Sequence, residues 1–389
     1  MSRLFLIDPV CAQPEGHNLA LLRSYNNYLN SSFKWDSTCL VVSKELSKEF
    51  ASDALRVFSF QYFGILSLST KNHNDQKPGV SNLDKEKLAE LESSHFLKEQ
   101  KLHFDDYIYF PGGDYYGVYG LLAAVQKMSA KKSPTLIIRF IGVLENILGG
   151  NKSLFRLLNY ITDLQTMGFR VKVTAETPLY ADFLSRTLGQ PLIPSPHPLF
   201  NESITPHSRD NQRVVVLPGS GRLDKGFDRV FYIAREMSQS SGYENVVFKV
   251  QSLPPQNVNE HLDLATRLYA LPNVDLLPSY VSTEVMHQLY RDANVILSPY
   301  AQDVYAMRGS AVMIEALDFG RLVVSQTETG FSPQLEYYGI GVSCNSNSDY
   351  VRGLKNLLDI QPEELDYRAN QARYRYKIDV AAAYKELFA

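Results

Sequence analysis

The sequence predicts an α/β protein built in two halves, each a parallel sheet wrapped by helices. Short apolar runs without polar alternation, such as LFLI at 4–7, YIYF at 107–110 and VVVL at 214–217, read as strands buried on both faces. Between them lie longer segments of helical periodicity, so strands and helices alternate in both halves. A length of 389 residues gives each half enough chain to bury its own core.

Composition narrows the function classes. A net charge of −3 leaves no basic excess for a nucleic-acid partner. Cys11, Cys39 and Cys344 are far apart, so neither a disulfide framework nor a zinc spacing follows, and a reducing cytoplasm fits. The N-terminal apolar run stops at Asp8 and Pro9, which reads as a first strand and not a signal peptide. No apolar run approaches the ~20 residues that span a bilayer. Peripheral contact with the inner face of a membrane stays open.

In the first half, the strand at 4–7 leads into the loop DPVCAQPEGHN and a helix over 19–28. Gly16 and His17 sit where that helix starts, either as a ligand edge of backbone N–H groups and an imidazole or as a capping loop. Strands follow at 38–42 and 55–60. The polar stretch 69–82 reads as a loop and 83–101 as a solvated helix, an insertion that serves as a lid, a partner contact or surface decoration. The strand at 107–110 ends in Pro111, Gly112, Gly113 and Asp114, then Tyr115 and Tyr116, with a helix through 121–128. Asp114 either accepts a hydrogen bond from a sugar hydroxyl or caps the helix. The strand at 135–140 carries Arg139 near its end. A helix at 153–167, a strand at 171–175 and a helix at 179–188 complete this half. The proline-rich run after Ile193 and the polar stretch 201–212 place a boundary near 203–211. This gives domains 1–205 and 206–370, with a helical tail 371–389.

The second half opens on VVVLPGSGRLDKG at 214–226. A buried strand runs into Pro218, Gly219, Ser220 and Gly221, then Arg222 and Lys225, then a helix. A turn of small residues followed by cations is how an α/β sheet holds an anion at its carboxyl edge, though a plain strand-to-helix turn has the same outline. The spacing is neither the dinucleotide fingerprint nor the P-loop. Strands follow at 245–251, 274–277, 294–297 and 322–325, with a helix at 282–291; 333–338 reads as a closing loop. Gly309 and Ser310 begin a helix beside Arg308, a second anion site. Glu315 lies mid-helix among apolar residues and needs a partner, either ribose hydroxyls or a nearby cation.

GRLDKGFD, NVDLLPSYVSTEVMHQLYRDANVILSPY and GSAVMIEALDFGRLVV resemble the nucleotide-sugar-binding domain of GT-B glycosyltransferases, in particular the retaining family-four group. The likeness covers about 214–358. It is thinner in the first half, at the DP…EGHN loop, the FPGGD corner and the PHPL run. It implies two Rossmann-like domains with parallel sheets facing across a cleft, and a C-terminal helix crossing back to the first domain. In that family a Gly-Arg…Lys-Gly pair grips the donor diphosphate, and Arg222 and Lys225 match those residue types. A Glu holds the donor ribose, and Glu315 stands in that place. Two departures show: Arg222 and Lys225 are three apart where the family has five, and Met307 replaces the Glu that contacts the donor sugar.

The resemblance therefore implies a cytoplasmic transferase of polysaccharide biosynthesis that uses a nucleotide diphosphate sugar, with no metal and no cofactor. Its acceptor is a glycan, a lipid-linked glycan or a protein. Gly219, Gly221, Arg222, Lys225, Arg308, Gly309, Ser310 and Glu315 are expected on the donor, and Gly16, His17, Asp114, Tyr115 and Arg139 on the acceptor side. His17, Arg222 and Lys225 are the catalytic candidates. A non-catalytic subunit of the same fold, which binds nucleotide or glycan and scaffolds an active partner, is the alternative that Met307 favours.

Overall fold

The computed structural model describes residues 2–12, 18–59, 82–144, 150–201, 203–207, 213–254 and 261–389. Gly16, His17, the polar stretch at 69–81 and part of the expected boundary lie outside the described residues.

Two compact units form. The first takes 1–198 and 383–389; the second takes 199–382. The change falls a few residues before the expected 203–211, because the backbone N–H groups of Phe200 and Asn201 already bond to the carboxylate of Asp318 in the second unit.

The first unit holds β1 (Arg3–Asp8), α1 (Asn18–Ser32), β2 (Ser37–Ser43), β3 (Leu55–Phe58), α2 (Asn82–Glu99), β4 (Tyr107–Phe110), α3 (Tyr115–Gln126), β5 (Thr135–Phe140), α4 (Gly150–Thr166), β6 (Val171–Ala175) and α5 (Pro178–Leu188). Its strands pair in the order β3-β2-β1-β4-β5-β6, and every pairing is parallel. All six residues of β5 are buried, Thr135 and Arg139 included, as expected of a strand covered on both faces. Helix α3 starts at Tyr115, six residues before the expected 121. Glycines weaken a helix in isolation. Here a Cβ on Gly120 would stand 2.5 Å from the Ala89 backbone, so the glycine lets α2 and α3 touch.

The second unit holds β7 (Arg213–Leu217), α6 (Phe227–Ser238), β8 (Val246–Gln251), α7 (Leu262–Tyr269), β9 (Val274–Leu277), α8 (Thr283–Asp292), β10 (Val295–Ser298), α9 (Gln302–Tyr305), α10 (Ala311–Phe319), β11 (Leu322–Gln326), α11 (Ser332–Tyr338), β12 (Gly341–Cys344), α12 (Asn347–Leu358) and α13 (Pro362–Leu387). Its sheet, order β12-β11-β10-β7-β8-β9, repeats the plan of the first, again all parallel. The segment expected as a closing loop at 333–338 is helix α11. Pro333 is at its first turn, where a proline costs no hydrogen bond, and Gly339 ends it in the left-handed region.

In each sheet the chain begins in the middle, builds outward one way, then returns to build the other. The loops after β1 and β4, and after β7 and β10, therefore leave in opposite directions and open a crevice at the carboxyl edge. The last turn of α13 belongs to the first unit. Tyr384 Oη lies 3.2 Å from Tyr109 Oη, and the Phe388 ring packs against Trp35, Tyr107 and Tyr109. Lys172 Nζ donates to the carbonyls of Leu387 and Ala389, a cation at a helix C-terminus.

Candidate functional site

The loop after β7 is tied down on both sides. Gly221 N donates to Ser252 O at the end of β8, and Ala301 N, just past β10, donates to Asp224 O. Gly226 has φ of 76°, and a Cβ there would stand 2.1 Å from Pro299 O. A Cβ on Gly221 would meet Gln251 O at 2.7 Å. Both glycines are needed for the backbone to lie this close to the neighbouring strand ends.

The two cations of this loop behave differently. Arg222 Nη2 pairs with Asp224 Oδ2 at 2.7 Å and reaches Tyr305 Oη at 3.3 Å. Its side chain is 43% exposed, so the pair is worth at most about 1 kcal/mol. Lys225 is half-buried, and no carboxylate lies within ion-pair distance of it among the described residues. Burial, then the charge of Arg222, pushes its ammonium down to about 8, against the pull of Asp224 and Glu315. An anion placed here would restore what Lys225 lacks.

The second cluster lies beside the first. Tyr300 and Tyr305 pack with ring centroids 4.4 Å apart, and the Tyr300 hydroxyl is in hydrogen-bond reach of Ser310. Ser310 Oγ accepts from Met313 N and caps α10. The Arg308 guanidinium sits 5.7 Å from the centre of the Tyr305 ring. A Cβ on Gly330 would press on the backbone of Met307 and Arg308, so Gly330 sets the approach to Gly309. Glu315 is half-buried and accepts from Tyr290 Oη at 2.6 Å. Tyr290 itself is fully buried and stacks on Phe319. A phenol is thus one partner of this mid-helix carboxylate, and the charge of Glu315 also acts on the Lys225 ammonium. Gly219, Gly221, Arg222, Lys225, Arg308, Gly309, Ser310 and Glu315 are brought together at the β7–β10 switch point of this unit. Tyr290, Tyr300, Tyr305 and Asp224 join them without having been singled out in the sequence. The aromatic directly after a strand end, as in SPY, is the signal that points to Tyr300.

In the first unit, Asp8 at the end of β1 and Asp114 after β4 occupy the corresponding corner. Asp114 Oδ1 accepts from Gly117 N at 2.9 Å and caps α3, so the cap is formed. Among the described residues its Oδ2 is buried without a hydrogen-bond partner. Burial pushes Asp114 up to about 7 and Asp8 up to about 6, and the negative charge of Asp8 adds to the first. Tyr115 donates to Glu86 Oε1 at 2.7 Å and accepts from Arg156. Arg139, expected on the acceptor side, lies in the interior of this corner. It is 3% exposed and donates to Pro111 O, Ser195 O and Glu176, so it braces the corner from inside. Among the described residues no three His, Cys, Asp or Glu side chains gather as a metal cluster, and no helix is long and apolar enough to cross a membrane.

No family model and no curated protein matches the sequence. Solved structures match over the whole chain. A UDP-forming α,α-trehalose-phosphate synthase from Burkholderia xenovorans aligns with TM-score 0.65 at 11% identity, covering 100% of this chain and 98% of that one. Sucrose-phosphate synthase from Thermosynechococcus elongatus aligns with TM-score 0.65 at 13% identity, over 100% and 98%. A lipopolysaccharide outer core galactosyltransferase aligns with TM-score 0.64 at 14% identity, over 99% and 100%. With two parallel six-stranded sheets and these neighbours, the chain has the GT-B fold of α/β glycosyltransferases.

Proposed function

We propose that this chain is a glycosyltransferase that moves a sugar from a nucleotide diphosphate sugar to a glycan, lipid-linked or protein acceptor. The observation that carries the proposal is Lys225. A half-buried ammonium with no carboxylate within ion-pair distance among the described residues, in the same cluster as the capped helix α10, is suited to a diphosphate leaving group. The fold neighbours support the same chemistry. One is a UDP-forming synthase, and a trehalose-6-phosphate structure from E. coli is bound with UDP-2-fluoro glucose.

In this proposal Lys225 and the N–H groups at Gly309–Ser310 stabilise the charge that develops on the departing phosphate. Glu315, oriented by Tyr290, accepts from the ribose hydroxyls. Arg222 contributes once a phosphate competes with Asp224 for its guanidinium. Asp114, through its Oδ2, and Tyr115 serve the acceptor, together with Gly16 and His17 of the loop after β1. Transfer needs no metal and no cofactor, and it retains the anomeric configuration, as in the group that the sequence resembles. The proposed setting is the cytoplasm, in polysaccharide synthesis, with peripheral contact to the inner face of the membrane.

The test is a panel of UDP-, GDP- and ADP-sugars incubated with the full chain, with released nucleoside diphosphate measured with and without acceptor extracts. Release from one donor, lost in Lys225→Ala, supports the proposal. Binding without turnover of any donor supports the non-catalytic subunit, which Met307 favours.

A further inference from the structure

Helix α4 has two unlike faces. Leu154, Leu157, Leu158, Ile161 and Leu164 are buried against the sheet. The opposite face carries Lys152, Phe155, Arg156, Asn159, Tyr160 and Asp163, the spacing that puts residues three and four apart side by side. Together with Tyr119 of α3, these side chains line an open depression on the surface.

The chemistry of this groove is specific. Phe155 is 43% exposed and has no ring partner among the described residues, so its face is open for stacking. Tyr119 and Tyr160 meet edge to face, with centroids 5.7 Å apart. Arg156 is fixed as a flat plate: Nη1 and Nη2 reach the two oxygens of Glu86 at 2.6 and 3.0 Å, Nη1 also donates to Tyr115 Oη, and the guanidinium lies 4.8 Å from the Tyr119 ring centre. Lys152 and Arg156 are balanced by Glu86 and Asp163, so the surface has little net charge. An anionic membrane would be recognised by an excess of cations, which is not present here. A ligand with apolar C–H faces and a rim of hydroxyls matches the open Phe155 face flanked by amide, carboxylate and ammonium groups.

We infer that the α3–α4 groove binds a neutral oligosaccharide chain through stacking on Phe155. It is a glycan site separate from the donor cluster at the β7–β10 edge. The inference does not depend on transferase activity, because a non-catalytic subunit would use the groove in the same way.

The experiment uses the full chain and measures binding of maltoheptaose, cellohexaose, mannohexaose and chitohexaose by calorimetry and ligand-observed NMR, without donor present. At least one binds. Phe155→Ala raises its Kd about tenfold, the scale of losing one aromatic stack, and UDP affinity does not change. Asn159→Ala, on the exposed rim, weakens the same oligosaccharide and provides a second variant that leaves the packed face of α4 intact. Binding of none of the four, or binding that neither variant reduces, overturns the inference. So does sedimentation with phosphatidylglycerol vesicles that Phe155→Ala abolishes, since the face would then be a membrane contact.

Discussion

Lys225 folds back over Gly219, so that its ammonium nitrogen lies 2.6 Å from where a Cβ on Gly219 would be. The glycine thus serves two ends: it takes φ of 85°, and it leaves room for the one cation in the loop that has no carboxylate beside it among the described residues. If Lys225 receives a diphosphate, affinity for UDP, GDP or ADP should fall as pH rises through about 8, where the ammonium loses its proton. Lys225→Arg keeps the charge and should remove that break. Lys225→Met should weaken binding at pH 7 by roughly 2–4 kcal/mol. Calorimetry across pH 6.5–9.5 decides it; an affinity flat in pH for the natural chain argues against the phosphate role.

Gly226 and Gly339 both have positive φ but differ in their surroundings. Gly226 faces Pro299 O, whereas a Cβ on Gly339 meets nothing within 4 Å. Gly339→Ala should cost roughly 1 kcal/mol, the left-handed strain alone. Gly226→Ala should cost roughly 3 kcal/mol, because a backbone clash is added to the strain. Urea unfolding of the two variants measures the gap.

Glu315 and Tyr290 can be separated by a double substitution. Glu315→Ala leaves the buried Tyr290 hydroxyl without its acceptor and should destabilise the chain by about 1–3 kcal/mol. Adding Tyr290→Phe removes the orphaned hydroxyl and should restore most of that stability. Nucleotide affinity should stay low in both. Recovery of affinity with stability would make Glu315 a packing residue.

Asp114 makes stability depend on pH. Its carboxyl titrates at about 7 in the fold against an ordinary 3.8, so the folded chain holds a proton that the unfolded chain has lost between those values. Stability from this group is present below pH 4 and is lost as pH rises through 7. Asparagine keeps the cap without the charge. Asp114→Asn should therefore gain on the natural chain between pH 4 and 8, by on the order of 1–3 kcal/mol. Parallel melting curves at both ends of that range would refute it.

Much of the fold was legible because these sheets are parallel and buried on both faces. Tyr107–Phe110 is an unbroken apolar run and Thr135–Phe140 is apolar but for Thr135 and Arg139, and their ends coincide with the observed strands. GVSC at β12 has a glycine and a serine in four residues and gives no such signal. Helix α11 was hidden by Pro333, which reads as a loop residue unless the start of a helix is expected there. The donor-side residues were legible because they follow strand ends in order. The pairing of Arg222 with Asp224 was not, since it depends on how the extended backbone at Arg222 enters the 3₁₀ turn at 223–225. Arg139 stands near a strand end in the sequence; only the tertiary structure shows it buried with three acceptors around its guanidinium.

Truncating Phe388 to Ala should cost roughly 3–5 kcal/mol, and the loss should appear in unfolding of the first unit. Calorimetry that resolves two transitions would show which one moves. An unchanged first-unit transition would mean that the aromatic pocket closes without it.

The position of 383–389 also governs how the protein comes off the ribosome. These residues are synthesised after the entire second unit, yet they fill the Tyr109 side of the first. Domains generally fold in order of synthesis. Here the earlier-made domain has to wait, with aromatic surface uncovered, until its partner has been translated. The nascent chain is therefore most vulnerable to chaperone capture and aggregation in its first half, and a frameshift late in the message would harm the domain encoded at its beginning.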